Sequence, residues 1–174
     1  MTEDNFVQKG ASATLAVPHS GAPQDFYFLL LPKATMLAVA AAIEPLRIAN
    51  QVTNSKLYRW YILTEDGAPI RCSNGMMVTP DMALQPMTSE ALGFVCSGVE
   101  PQSTAGDATL NWLRRESRFG RAIGGICTGA FALAQAGLIR DQAFTLHWEN
   151  QPGFQESFQD LTPSANTFEI SGAL

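Results

Sequence analysis

Nitrogen and sulfur ligands for a metal are scarce in this chain, whose 174 residues include only two histidines, His19 and His147, and three cysteines, Cys72, Cys96 and Cys127. An odd number of cysteines at wide spacing makes neither a zinc motif nor a disulfide framework. Free thiols in a reducing cytoplasm are the natural setting, and no metal or cofactor is predicted. Basic charge is also scarce: 11 Lys and Arg stand against 16 Asp and Glu, a formal net charge of −5. Phosphate binding needs clustered Lys and Arg, so these residues are not expected to bind nucleic acid themselves. The one close basic group, Arg114, Arg115, Arg118 and Arg121, reads as a solvated helix face and the turn after it. No apolar run approaches the ~20 residues needed to span a bilayer. The apolar run FYFLLL is only of strand length, and the polar, acidic start MTEDNFVQKG is no secretory signal.

What is present is enough for one core. Apolar residues make up 46% of the chain, and single domains commonly run ~100–200 residues. Residues 1–24 carry Gly, Ser, Pro and Thr without periodicity and read as a flexible leader. From residue 25 the pattern alternates. Phe26 to Leu31 predicts a buried strand, and Met36 to Gln51 an alanine-rich helix in which Pro45 must either bend the helix or sit near an irregular start. Leu57 to Leu63 is a second strand, and Ile70 to Val78 a hairpin around Asn74-Gly75. Leu92 to Cys96 is a third strand, and Ala108 to Arg118 a helix with Asp107 as N-cap. Ala122 to Ile126 and Ala143 to Leu146 read as further strands, residues 151–158 as a short helix, and Thr167 to Ile170 as a last strand. Strands alternating with helices imply a parallel sheet between helical layers.

The stretch from Arg121 to Glu149, RAIGGICTGAFALAQAGLIRDQAFTLHWE, carries the chemistry. An apolar run broken by Gly124 and Gly125 ends at Cys127, and TGAFALAQA then reads as a helix stopped by Gly137. Cys127 therefore sits on a sharp strand-to-helix corner, where free backbone amides favour a thiolate. The strand Ala143 to Leu146 would deliver His147 to the same end of the sheet, where open α/β sheets place their binding crevices. With His19 in the leader, any Cys/His pair is Cys127 with His147. Against this stands the ordinary use of a cysteine as a small core residue.

These residues resemble a known family. GGICTGAFALAQAGL followed by LHWE is similar to the nucleophile-elbow region of the PfpI-like, class I glutamine amidotransferase-like superfamily. EPLRIAN, SNGMMVTPD and FVCSGVE, in this order, extend the likeness from Asp25 to the C-terminus and point to sensor domains of AraC-type transcriptional regulators of the GlxA kind. The resemblance implies a flavodoxin-like α/β fold, a three-layer sandwich with a mostly parallel central sheet. It implies a ligand-sensing domain over 25–174, with a helix-turn-helix DNA-binding domain that is not in this chain. A small-molecule effector, a homodimer and DNA contact only through that other domain follow from the likeness, as do amino acids or quaternary amines as effectors.

Enzymes of the superfamily pair their cysteine with a carboxylate near the first helix. Set against hydratase-like members, ATMLAVAAAIEPL puts Ala38 at that acidic position, beside Leu37, and Glu44 falls two turns further on. The expectation is therefore a catalytically inactive sensor whose crevice is formed by Cys127, Thr128, Ser97, Gly98, His147 and Trp148. Within that set several roles stay open. Trp148 offers a face to a cation or packs beneath the final helix; Ser97 and Gly98 form a turn or supply an amide donor; the Thr128 hydroxyl bonds locally or faces the pocket. The alternative is a cysteine hydrolase or hydratase with Cys127 as nucleophile and His147 as acid–base. A third reading makes oxidation of Cys127 the signal.

Overall fold

A computed structural model describes residues 15, 17, 19 and 21–172. The leader read over 1–24 lies largely outside the described residues, although Leu15 donates its N–H to the Val52 carbonyl at 2.8 Å.

The first apolar run forms β1 (Gln24–Leu30), and each side chain from Tyr27 to Leu31 is at most 3% exposed. An apolar run without alternation needs cover on both faces, and the topology supplies it. After α1 (Met36–Thr53) and β2 (Tyr58–Thr64) come the short strands β3 (Ile70–Arg71), β4 (Met77–Val78) and β5 (Met82–Ala83). Then follow β6 (Leu92–Cys96), α2 (Asp107–Arg118), β7 (Ala122–Ile126), α3 (Ala130–Ala136) and α4 (Gln151–Ser157). Five strands pair in the order β5-β2-β1-β6-β7, every pair parallel, which puts β1 at the centre. On one face, α1 and the β3–β4 hairpin cover Phe28, Leu30, Trp60 and Cys96. On the other, α2, α3 and α4 cover Leu29, Leu63, Val95 and Ile123, with Phe131 and Phe154 edge to face at 5.0 Å. The three layers are those expected of this α/β class.

Local chemistry explains most boundaries. The β3–β4 pair is the predicted hairpin, with Ile70 opposite Val78, and Asn74 Oδ1 accepts the Met76 N–H at 3.1 Å. The helix α1 runs unbroken through Pro45, whose ring lies on the exposed side. At its end Asn50, fully buried, accepts from the Leu57 and Tyr58 N–H groups at 2.9 and 3.0 Å and donates to the Tyr58 carbonyl. The last residue of EPLRIAN is therefore a loop clasp. Asp107 is the first residue of α2 rather than its N-cap. Gly106 holds the cap position and has no side chain to offer, so Glu65 from the loop after β2 accepts both the Thr109 N–H (3.1 Å) and its hydroxyl (2.6 Å). Arg114 is not simply solvated: its guanidinium donates to the Gln135 and Ala136 carbonyls at the end of α3, which suits a cation at a helix C-terminus.

Two predicted strands do not form. Residues 143–146 form no strand: Phe144 and Thr145 bond to Ser164 and Asn166 in irregular chain instead of to a sheet neighbour. The alternation that reads as a strand reflects Phe144 and Leu146, 9% and 6% exposed, packing into the core. Residues 167–170 are likewise outside any strand, with Phe168 and Ile170 at 73% and 82% exposure. No helix among the described residues is long and apolar enough to cross a membrane.

Candidate functional site

The chain leaves β1 to build β2 on one side and returns to build β6 on the other. The strand order therefore reverses beside β1, and a crevice opens at the carboxyl ends of the strands there. Cys127 closes β7 at this end with φ of +60°, a left-handed conformation that costs a non-glycine residue on the order of 1–3 kcal/mol. The corner is tight because Gly129 lies against β6 and β7: a Cβ there would fall 2.2 Å from the Val95 carbonyl oxygen and 2.8 Å from the Ile126 nitrogen.

The Cys127 thiol donates to Thr35 Oγ1 at 3.6 Å. Thr35 follows the loop after β1 and occupies the N-cap of α1, yet its side chain makes no capping bond. A cavity of about 1000 Å³ opens in front of this pair, with Ala38, His147, Trp148 and Glu169 in its wall. The cavity continues along β7, the last strand of the sheet, whose Gly125 is exposed. Glu169 accepts from Asn166 at 2.6 Å, and bonds from Ser164 and Asn166 hold its carboxyl below the ordinary carboxylate range.

The histidine reaches the site differently from the sequence expectation. His147 is joined to the elbow through its backbone, its N–H donating to the Cys127 carbonyl at 3.3 Å. Its imidazole is exposed and stacks on Trp148, centroids 5.9 Å apart and planes 25° apart, and Trp148 is itself 74% exposed. Among the described residues no hydrogen bond joins the imidazole to the thiol. Ala38 stands in the wall where the resemblance places an acid in enzymes, and Glu44 lies exposed on α1 in an ion pair with Arg47 at 2.6 Å.

Three other expected residues lie behind the cavity. Thr128, 1% exposed, donates its hydroxyl to the Gly98 carbonyl at 2.8 Å. Ser97, 2% exposed, has its hydroxyl 3.4 Å from that of Thr104. Gly98 bridges to Ala34 so closely that a Cβ would fall 2.2 Å from the Lys33 carbonyl oxygen. Together they tie the turns after β1, β6 and β7. Cys96 is fully buried beneath the site, and its thiol titrates far above the usual range because of burial first and the nearby Cys127 second. Thr35 and Glu169 did not emerge from sequence reasoning. Thr35 was findable from its place just past the carboxyl end of a buried strand; Glu169 had no such signal.

A model of the DJ-1/PfpI family matches residues 40–161. The chain belongs to the DJ-1/PfpI family. Within it, the chain is 46% identical over 149 residues to the HTH-type transcriptional regulator CdhR of Pseudomonas aeruginosa, covering 86% of this chain and 44% of the relative. The HTH-type regulator GbdR of the same species is 37% identical over 153 residues, covering 88% and 42%. The chain thus spans less than half the length of these curated relatives. A crystal structure of an AraC family transcriptional regulator from Pseudomonas putida shares the fold, with TM-score 0.74 and 23% identity over 87% of this chain and 81% of that one. A more distant likeness, 23% over 147 residues, is to an isonitrile hydratase of Pseudomonas putida, covering 82% of this chain and 57% of the hydratase.

Proposed function

We propose that this chain is the ligand-sensing, dimerising part of an AraC-type transcriptional regulator, that it is catalytically inactive, and that DNA is contacted by another part of the intact protein. The observation that carries the reading is an elbow whose cysteine has no acid–base partner in hydrogen-bond contact among the described residues. Cys127 is held at a strained corner facing a cavity, but its thiol bonds to a hydroxyl, the His147 ring leans on Trp148, and Ala38 stands where an acid would be needed. A thiol nucleophile is ordinarily armed by an adjacent base that takes its proton. The kinship to regulators over 86% of the chain supports the same reading.

For the effector, the wall favours a small ammonium compound, an amino acid or a quaternary amine. Trp148 and Phe168 are exposed aromatic residues in the cavity wall, and Glu169 adds an ionised carboxylate; aromatic rings and a carboxylate together suit a cation. A thermal-shift screen of amino acids and methylated amines tests it. A true effector at 100 times its Kd stabilises by about 2.7 kcal/mol, which at roughly 2–4 °C per kcal/mol raises the melting temperature by about 5–10 °C. The same effector should lose most of that shift against Trp148→Ala. A flat panel sinks the ammonium assignment, and turnover of an amide or isonitrile lost in Cys127→Ala sinks the claim of inactivity.

A further inference from the structure

Thr35 is a helix N-cap residue that does not cap. Threonine at this position ordinarily turns its oxygen onto the second or third amide of the helix. Here α1 begins at Met36 with no side-chain cap, although the Ala38 and Val39 N–H groups already bond to the Thr35 backbone carbonyl. The hydroxyl instead accepts the Cys127 thiol proton at 3.6 Å, and both residues line the cavity. Its own O–H remains a donor.

This orientation is held by its surroundings. The Thr35 N–H donates to the Ser97 carbonyl at 3.4 Å, and the neighbouring Ala34 bridges to Gly98. Gly98 leaves the space in which the hydroxyl sits, for a Cβ there would fall 2.8 Å from Thr35 Oγ1 and 2.7 Å from the Thr35 nitrogen. Thr128 fixes Gly98 in turn by donating to its carbonyl. Ser97, Gly98 and Thr128 thus converge, from the turns after β6 and β7, on the placement of one hydroxyl. A capping bond is given up and a side chain excluded to keep a hydroxyl against a thiol in a crevice.

We propose that Thr35 is the positioning residue of Cys127: its hydroxyl, by accepting from the thiol, fixes the sulfur toward the cavity. The inference holds whether or not the chain acts as a sensor, since it concerns only the placement of the thiol.

The test uses the 174-residue chain, iodoacetamide as the probe, and mass spectrometry to read Cys127 separately from buried Cys72 and Cys96. Thr35→Val keeps the shape and removes the hydroxyl. It should slow Cys127 labelling at pH 7 about fivefold or more, because the sulfur loses the partner that holds it toward the cavity. Thr35→Ser, which returns the hydroxyl, should restore the rate, whereas a merely structural threonine would leave the labelling rate of the isosteric valine variant unchanged. The melting temperature of Thr35→Val should stay within about 2 °C of the parent, since no capping bond is lost. Should the valine variant not fold, Thr35→Ala carries the same expectation and the serine variant must still label like the parent. Labelling of the hydroxyl-free variant at the parental rate, or a slowing that serine fails to reverse, overturns the proposal.

Discussion

Replacing Gly129 by alanine is expected to remove about 3 kcal/mol of stability and to lower the melting temperature by roughly 6–12 °C. The cause is steric rather than conformational. Gly129 has φ of −57° and ψ of −23°, which any residue adopts. The added Cβ would fall 2.2 Å from the Val95 carbonyl oxygen, 2.8 Å from the Ile126 nitrogen and 3.0 Å from the Gly125 Cα. All three are backbone atoms of β6 and β7, so no side chain can swing aside. Either the corner opens and carries Cys127 with it, or α3 lifts from the sheet. Gly137 supplies the contrast. It ends α3 with φ of +77° and meets nothing within 4 Å, so Gly137→Ala costs only the left-handed penalty, about 1 kcal/mol. Urea melts of the two variants check the ranking, and a Gly129→Ala loss no larger than that of Gly137→Ala would falsify the account of the elbow.

The same pair of glycines marks what a sequence can and cannot disclose. Gly137 is legible, because a glycine after AFALAQA, a run rich in helix formers, is a stop signal whatever surrounds it. Gly129 is not, because its need arises from β6, more than thirty positions upstream. The sheet was readable for the reason that Phe26 to Leu31 and Leu92 to Cys96 are apolar without alternation, which only a doubly covered parallel strand requires. Residues 143–146 misled because a chain packing alternate residues into a core has a strand's period without a strand's partner. In the site, Cys127 at the corner followed from the glycine pair before it. The bond to Thr35 did not, since it joins residues 92 positions apart through a loop whose course Gly98 determines. His147 shows the limit most plainly: its proximity to Cys127 was legible, but the direction of its ring depends on Trp148, and that direction separates a binding crevice from an armed elbow.

Arg59→Ala should cost about 3 kcal/mol at pH 7, more than Asp25→Asn, although the two residues share one ion pair. The guanidinium meets the carboxylate with two bonds, Nε to Oδ1 at 2.7 Å and an Nη to Oδ2 at 2.8 Å, bridging β1 and β2 where Asp25 and Arg59 are in register. The partners differ in exposure: the Arg59 side chain is 38% accessible and that of Asp25 only 8%. Arginine left alone by Asp25→Asn can turn to water and keep its place over the Tyr61 ring, 5.5 Å from the centroid, so that variant should lose about 1 kcal/mol. Aspartate left alone by Arg59→Ala keeps, among the described residues, the Thr88 hydroxyl at 3.0 Å and is a buried charge without its arginine. Chemical denaturation of both variants, the double variant and the parent at pH 7 measures this directly. Adding Asp25→Asn to Arg59→Ala should recover part of the loss, since removing the orphaned charge removes what the arginine was there to answer.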